Sequence, residues 1–185
     1  MRAFIAVELP EALRREVAAL QDTLKATGAD VKWVEPANLH LTLKFLGDIA
    51  EIRVTPITEA LRTATRHVAS FTMRLAGVGA FPSTRSPRVV WVGVKDGQAP
   101  LRELAEAVEQ ACAGAGFPTE GRPFSPHLTI GRVRSQNRVA GLVKQLQVAA
   151  FQGTAPAPVG RLTLVQSTLS PRGPTYTPLA DIPLG

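Results

Sequence analysis

Two short stretches decide how this chain is read. They are His40-Leu41-Thr42-Leu43, within PANLHLTLKFLG (36–47), and His127-Leu128-Thr129-Ile130, within GRPFSPHLTIGR (121–132). Only three histidines occur in 185 residues, and two of them open this same phrase. In a β-strand, residues i and i+2 share a face. His40 with Thr42, and His127 with Thr129, therefore each project as one imidazole and one hydroxyl. Leu41, Leu43, Leu128 and Ile130 turn to the core.

The surroundings of the two phrases repeat as well. RAFIAVEL (2–9) is an apolar run stopped by Pro10, a strand. PEALRREVAALQDTLKATG follows, with Leu13, Val17, Leu20 and Leu24 on one helical face and Gly28 at the stop. VKWV and HLTLKFL are strands around a turn at Pro36. A second helix is expected over 51–68, with Pro56 near its first turn, and a strand over 71–78. GAFPSTRSPR (79–88) is expected to be a loop dividing two halves.

The second half restarts with VVWVGV (89–94), then an amphipathic helix in LRELAEAVEQACAGAG, then HLTIGRV. A short helix over 137–148 and strands at 161–169 and 175–184 complete it. His40 and His127 are 87 positions apart, and the same step carries mid-strand Ile5 onto mid-strand Val92. The spacing predicts an α+β fold of antiparallel sheets with outer helices. The whole chain, 1–185, is expected to form a single bilobal domain. Its sequence repeats run roughly over 1–80 and 88–185, with strands free to cross between lobes. The two His-x-Thr strands would face each other across a central cleft.

Composition narrows the function classes. Hydrophobic residues make up 45% of the chain, enough for a core without staples. Cys112 is the only cysteine, so no internal disulfide and no CxxC metal or redox motif exists. It is expected to be a packing residue in a reducing cytoplasm. MRAFIAVELP is too short an apolar stretch for a secretory signal, and no membrane partner is expected. Net charge is +6, and arginine outnumbers lysine. Guanidinium groups suit phosphate-bearing partners, though a basic solvated surface would read the same way.

Two imidazoles and two hydroxyls suit a phosphodiester. Displacement at phosphorus is in line, so one imidazole can take the proton of the attacking oxygen while the other protonates the leaving oxygen. The threonine hydroxyls can donate to the non-bridging oxygens. This scheme needs no metal and no cofactor. A zinc site would want three or four ligands, and neither phrase brings a carboxylate or thiol with it. A serine hydrolase would want a Gly-x-Ser-x-Gly elbow, which is absent. His67 lacks the following threonine and reads as an ordinary residue near a helix end.

At these residues the sequence resembles the 2H phosphoesterase superfamily, and within it the RNA 2′,3′-cyclic phosphodiesterase family, also called 2′-5′ RNA ligase. RAFIAVELP, VKWVEPANLHLTLKFLGDI, GAFPS, RVVWVGV, FSPHLTIGRV and SPRGPTYTPL resemble that family's segments in order. The resemblance implies a bilobal fold and metal-independent hydrolysis of 2′,3′-cyclic phosphate RNA ends to 2′-phosphates. His40 and His127 would be acid and base, and Thr42 and Thr129 would hold the phosphate. The implied partner is such an RNA end, tRNA-derived pieces included, met by a monomer. Reversible ATP-independent 2′-5′ joining of tRNA halves, and RNA-end binding without turnover, are the alternatives.

Phe45 and Arg132 each lie five residues after their histidine. The resemblance implies an aromatic and an arginine around the terminal base, a sequence-tolerant arrangement. A regular strand argues otherwise, since an odd offset points to the opposite face. By the same parity Lys44 would share the face of His40 and Thr42 and line the RNA path. Arg85, Arg88 and Arg122 are further candidates for that path. Tyr176 is a candidate hydrogen-bonder in the cleft.

Overall fold

The computed structural model describes residues 1–185. The first half contains β1 (Arg2–Glu8), α1 (Glu11–Lys25), β2 (Val31–Trp33), β3 (His40–Asp48), α2 (Val54–Thr65) and β4 (Phe71–Pro82). The second contains β5 (Pro87–Asp96), α3 (Gln98–Gly114), β6 (His127–Val133), α4 (Val139–Val148), β7 (Ala157–Val159), β8 (Arg161–Ser170) and β9 (Gly173–Pro183). The α+β expectation holds. Two antiparallel sheets form, with orders β3-β1-β8-β9 and β2-β6-β5-β4-β7.

The halves of the chain are not the two sheets. Each half keeps its first strand and its His-x-Thr strand together and sends two of its other strands across. β8 and β9 complete the sheet of β1 and β3, while β2 and β4 join that of β5 and β6. The helices cross too. α3 packs on β3 and on α2. α1 reaches the segment leading into β7, where its Glu16 carboxylate accepts the Thr154 and Ala155 backbone N–H groups. A single core of 36 buried residues runs through both halves, so neither half buries it alone.

Local sequence explains most elements. β1 is central, and Ala3 to Val7 are all buried. Ala3, Ile5 and Val7 join the main core, while Phe4 and Ala6 pack with Val165 and Tyr176 on the opposite face. α1 buries Leu13, Val17 and Leu24 as its period predicts, and Gln21 with them. α2 carries Pro56 as its third residue, where the missing N–H costs no helical bond. Burial in apolar surroundings pushes the Cys112 thiol up to about 11, which suits a packing role.

The expected dividing loop at 79–88 is a correction. β4 runs through Pro82 and β5 starts at Pro87, so the segment is a tight hairpin inside one sheet. Pairing along both strands outweighs the turn-rich composition. The three-residue β7 escapes the sequence reading because so short a strand carries no period. No helix is long and apolar enough to cross a membrane.

Candidate active site

β3 and β6 belong to different sheets yet approach one another, and a cleft of about 610 Å³ opens beside them. His40, Thr42, Phe45, His127, Thr129 and Arg132 all line it. The i, i+2 argument therefore holds for both phrases. The offset of five also reaches the cleft, for a reason the regular strand does not contain.

Each strand carries a bulge at the same place. In β3, Thr42 pairs with Ala6 and Lys44 with Ile5, leaving Leu43 without a partner on β1. In β6, Thr129 pairs with Trp91 and Gly131 with Val90, leaving Ile130 without a partner on β5. An extra residue shifts the alternation by one. Leu43 and Lys44 are consecutive buried residues, as are Ile130 and Gly131, and the next side chain emerges into the cleft. Phe45 is 64% exposed, which no core reading allows.

The same bulge corrects the expectation for Lys44. It turns to the core side and is 3% exposed. Its ammonium donates to Glu109 Oε1 at 2.9 Å and to the Pro118 carbonyl at 3.0 Å. Arg122 lines a separate cavity beside α3. Arg85 and Arg88 are not among the cleft residues, whereas Arg2 is.

The two imidazoles are held alike. His40 Nδ1 lies 2.6 Å from the Asn38 carbonyl, and His127 Nδ1 lies 2.7 Å from the Ser125 carbonyl. A carbonyl only accepts, so each Nδ1 carries hydrogen and each neutral ring keeps its lone pair on Nε2. Nε2 has no partner within the protein in either ring. A 3-10 turn at Pro36–Asn38 sets the Asn38 carbonyl, and the Asn38 amide donates to the Pro174 carbonyl of β9 at 3.1 Å.

Their walls differ. The Phe4 ring stacks on His40 with centroids 4.6 Å apart, and Tyr176 meets the same ring edge-on at 5.0 Å. Burial there lowers the His40 pKa to about 4; the Asn38 carbonyl partly offsets this, and the Arg14 charge adds a smaller push downward. His127 has a single aromatic neighbour, the edge of Phe81 at 5.0 Å. Phe81 leans on Trp91 at 5.4 Å. Trp91 in turn lies flat over Gly79, where any Cβ would collide with the indole. Burial also raises the Tyr176 phenol, with Arg132 opposing.

Phe4, Arg2, Asn38 and Phe81 are site residues that the sequence reading missed. β1 looks like an all-core strand. Period-2 alternation in RAFIAVE would have shown Phe4 and Ala6 on a second face, but an unbroken apolar run hides it.

A model of the family described as LigT like phosphoesterase matches the chain twice, at residues 7–91 and 92–176. The RNA 2′,3′-cyclic phosphodiesterase of Methanothermobacter thermautotrophicus is 40% identical over 96% of this chain and 95% of its own length. Among solved structures, a Thermus thermophilus protein superposes with a TM-score of 0.83 and 32% identity, covering 100% of this chain and 98% of that one. Escherichia coli LigT complexed with 3′-AMP gives a TM-score of 0.79 and 26% identity, over 99% of this chain and 97% of that one.

Proposed function

The chain belongs to the LigT like phosphoesterase family, and from that premise we propose that it hydrolyses RNA 2′,3′-cyclic phosphate ends to 2′-phosphate ends with His40 and His127 as the acid–base pair. The observation that carries this reading is the matched setting of the two rings. Both line one cleft from separate sheets, with Nδ1 satisfied and Nε2 open.

In the reaction, a water oxygen bonds to phosphorus as the P–O3′ bond breaks. One Nε2 takes the water proton, and the other imidazolium protonates O3′. Thr42 and Thr129 donate to the non-bridging oxygens, where negative charge is held. The terminal base lies against Phe45 and the Arg132 guanidinium, whose π and cationic faces accept any base. Because His40 is neutral in the free protein at neutral pH, as base it takes the water proton directly, and as acid it must first be protonated, a form that the charge of the bound phosphate favours. No metal or cofactor takes part. Ligation is the same displacement with a 5′-hydroxyl in place of water, forming the 2′-5′ bond as P–O3′ breaks, and hydrolysis outruns it in water.

The chain works as a monomer with its 185 residues as one bilobal unit, acting on RNA ends that include tRNA pieces. A cytoplasmic site is supported by the lone, buried cysteine.

The test is an oligoribonucleotide ending in a 2′,3′-cyclic phosphate, incubated in EDTA with and without a 5′-hydroxyl RNA. A 2′-phosphate end is the expected product. A 3′-phosphate product, or full turnover by the His40→Ala and His127→Ala variants, overturns the proposal.

A further inference from the structure

A bulge leaves backbone groups outside the ladder and weakens the register it interrupts. Something else must hold it, and in both strands a buried polar side chain does so across the two halves. In β6 the carbonyl of Ile130, the extra residue, accepts the Val34 N–H at 2.9 Å. It also accepts the Gln21 amide at 3.0 Å, while the same Nε2 donates to the Val34 carbonyl at 2.8 Å. Gln21 is 1% exposed and comes from α1, in the first half of the chain. In β3 the tie is Lys44, whose ammonium reaches Glu109 of α3, in the second half. Glu109 Oε1 also accepts the Glu120 N–H at 3.0 Å, so the pair gathers the segment leading toward His127.

The device is matched in position and differs in chemistry. The residue equivalent to Lys44 is Gly131, and a Cβ there would come within 2.8 Å of the Trp33 ring. The crowded side takes its tie from the helix, and the open side takes it from the strand. A lysine facing the core costs desolvation that a leucine would not, so packing alone gives no reason for it.

We propose that Lys44 with Glu109, and Gln21, are positioning residues: they hold the two bulges that turn Phe45 and Arg132 into the cleft, and so set base recognition without touching substrate. The inference rests on the reading of Phe45 and Arg132 as base contacts.

The experiment compares kcat/KM for adenosine 2′,3′-cyclic phosphate with that for base-free ribose 2′,3′-cyclic phosphate. The ratio between the two substrates is the readout, because partial unfolding lowers both rates equally and leaves it unchanged. Phe45→Ala is expected to lower the ratio about tenfold. Lys44→Met with Glu109→Leu, which keeps the packing volume, is expected to lower it similarly, and adding Phe45→Ala to that pair lowers it no further. Glu109→Gln in the otherwise native protein, where it still accepts from Lys44, keeps the wild-type ratio. Gln21→Leu makes the parallel test at Arg132 and retains the Val34 bond to the bulge. A ratio lowered by Phe45→Ala but kept by both tie variants overturns this inference alone. A ratio that Phe45→Ala and Arg132→Ala leave unchanged removes the base reading and the inference with it.

Discussion

The His40 and His127 neighbourhoods share a backbone and differ in surroundings. Both rings hang from an i−2 carbonyl, and both are followed by a threonine, a bulge and a cleft-facing side chain. Yet one ring is walled by Phe4 and Tyr176 and the other meets only Phe81. One bulge presents Phe45 and the other Arg132. Under the proposed function, the backbone repeat would serve the phosphate, whose in-line chemistry needs two similar groups on opposite sides. The divergent side chains would serve what is not symmetric, namely the nucleoside on one side of that phosphate.

The shared part of the comparison carries the largest expected effect. His40→Ala and His127→Ala should each lower kcat by about 10²- to 10⁴-fold. The double variant should fall little further than the worse single one, because the pair acts as a unit. Steady-state hydrolysis in EDTA measures this, and additive losses would mean that the rings act separately.

The difference in surroundings should appear as pH-dependent stability. The folded His40 pKa of about 4 lies below its ordinary 6.5. Between these values the unfolded chain binds the extra proton, so stability is full above about pH 6.5 and lost as pH falls toward 4. Urea unfolding at pH 7 and pH 4.5 should show a loss of about 2–3 kcal/mol from this group, absent in His40→Ala. Tyr176→Ala, which opens the ring to water, should raise the His40 pKa in an NMR titration. An unmoved value would mean that the aromatic wall is not its cause.

The threonines test how equal the two sides are. Thr42→Val and Thr129→Val should each cost roughly 10- to 100-fold in kcat, the worth of one hydrogen bond to a charged group. Losses differing by more than about tenfold would show that one hydroxyl holds the phosphate and the other only packs. The smallest effect belongs to Arg132. Its change to Gln should raise KM for nucleotide-ended substrates about 5- to 10-fold with kcat nearly kept, and should flatten the salt dependence of KM.

Much of this is legible before folding. The two phrases, their spacing of 87 and the apolar runs around them point to the dyad, the threonines and the α+β class. The misreadings at Lys44 and Phe45 share a physical origin. Parity arguments assume unbroken strands, and a bulge is invisible in a row of Leu43, Lys44 and Phe45, since nothing in those residue types says which one lacks a partner. Parity therefore turns Lys44 toward the cleft and Phe45 away from it, when the register requires the reverse. Likewise, the Pro-, Ser- and Arg-rich 79–88 segment looks like a divider because hairpin pairing depends on the strands beside it.

What the sequence determined by itself was the chemistry: which groups exist in pairs, at which spacing, on what kind of strand. That information is local, carried by residue type and period. What only the tertiary structure decided was exchange and environment. β4 and β8 cross to the opposite sheets, α1 and α3 reach the other half's bulges, and Phe4 and Tyr176 close around one imidazole. Those outcomes depend on contacts between residues far apart in the chain, as Asn38 and Pro174 are, 136 positions from one another. A one-dimensional pattern contains no term for them.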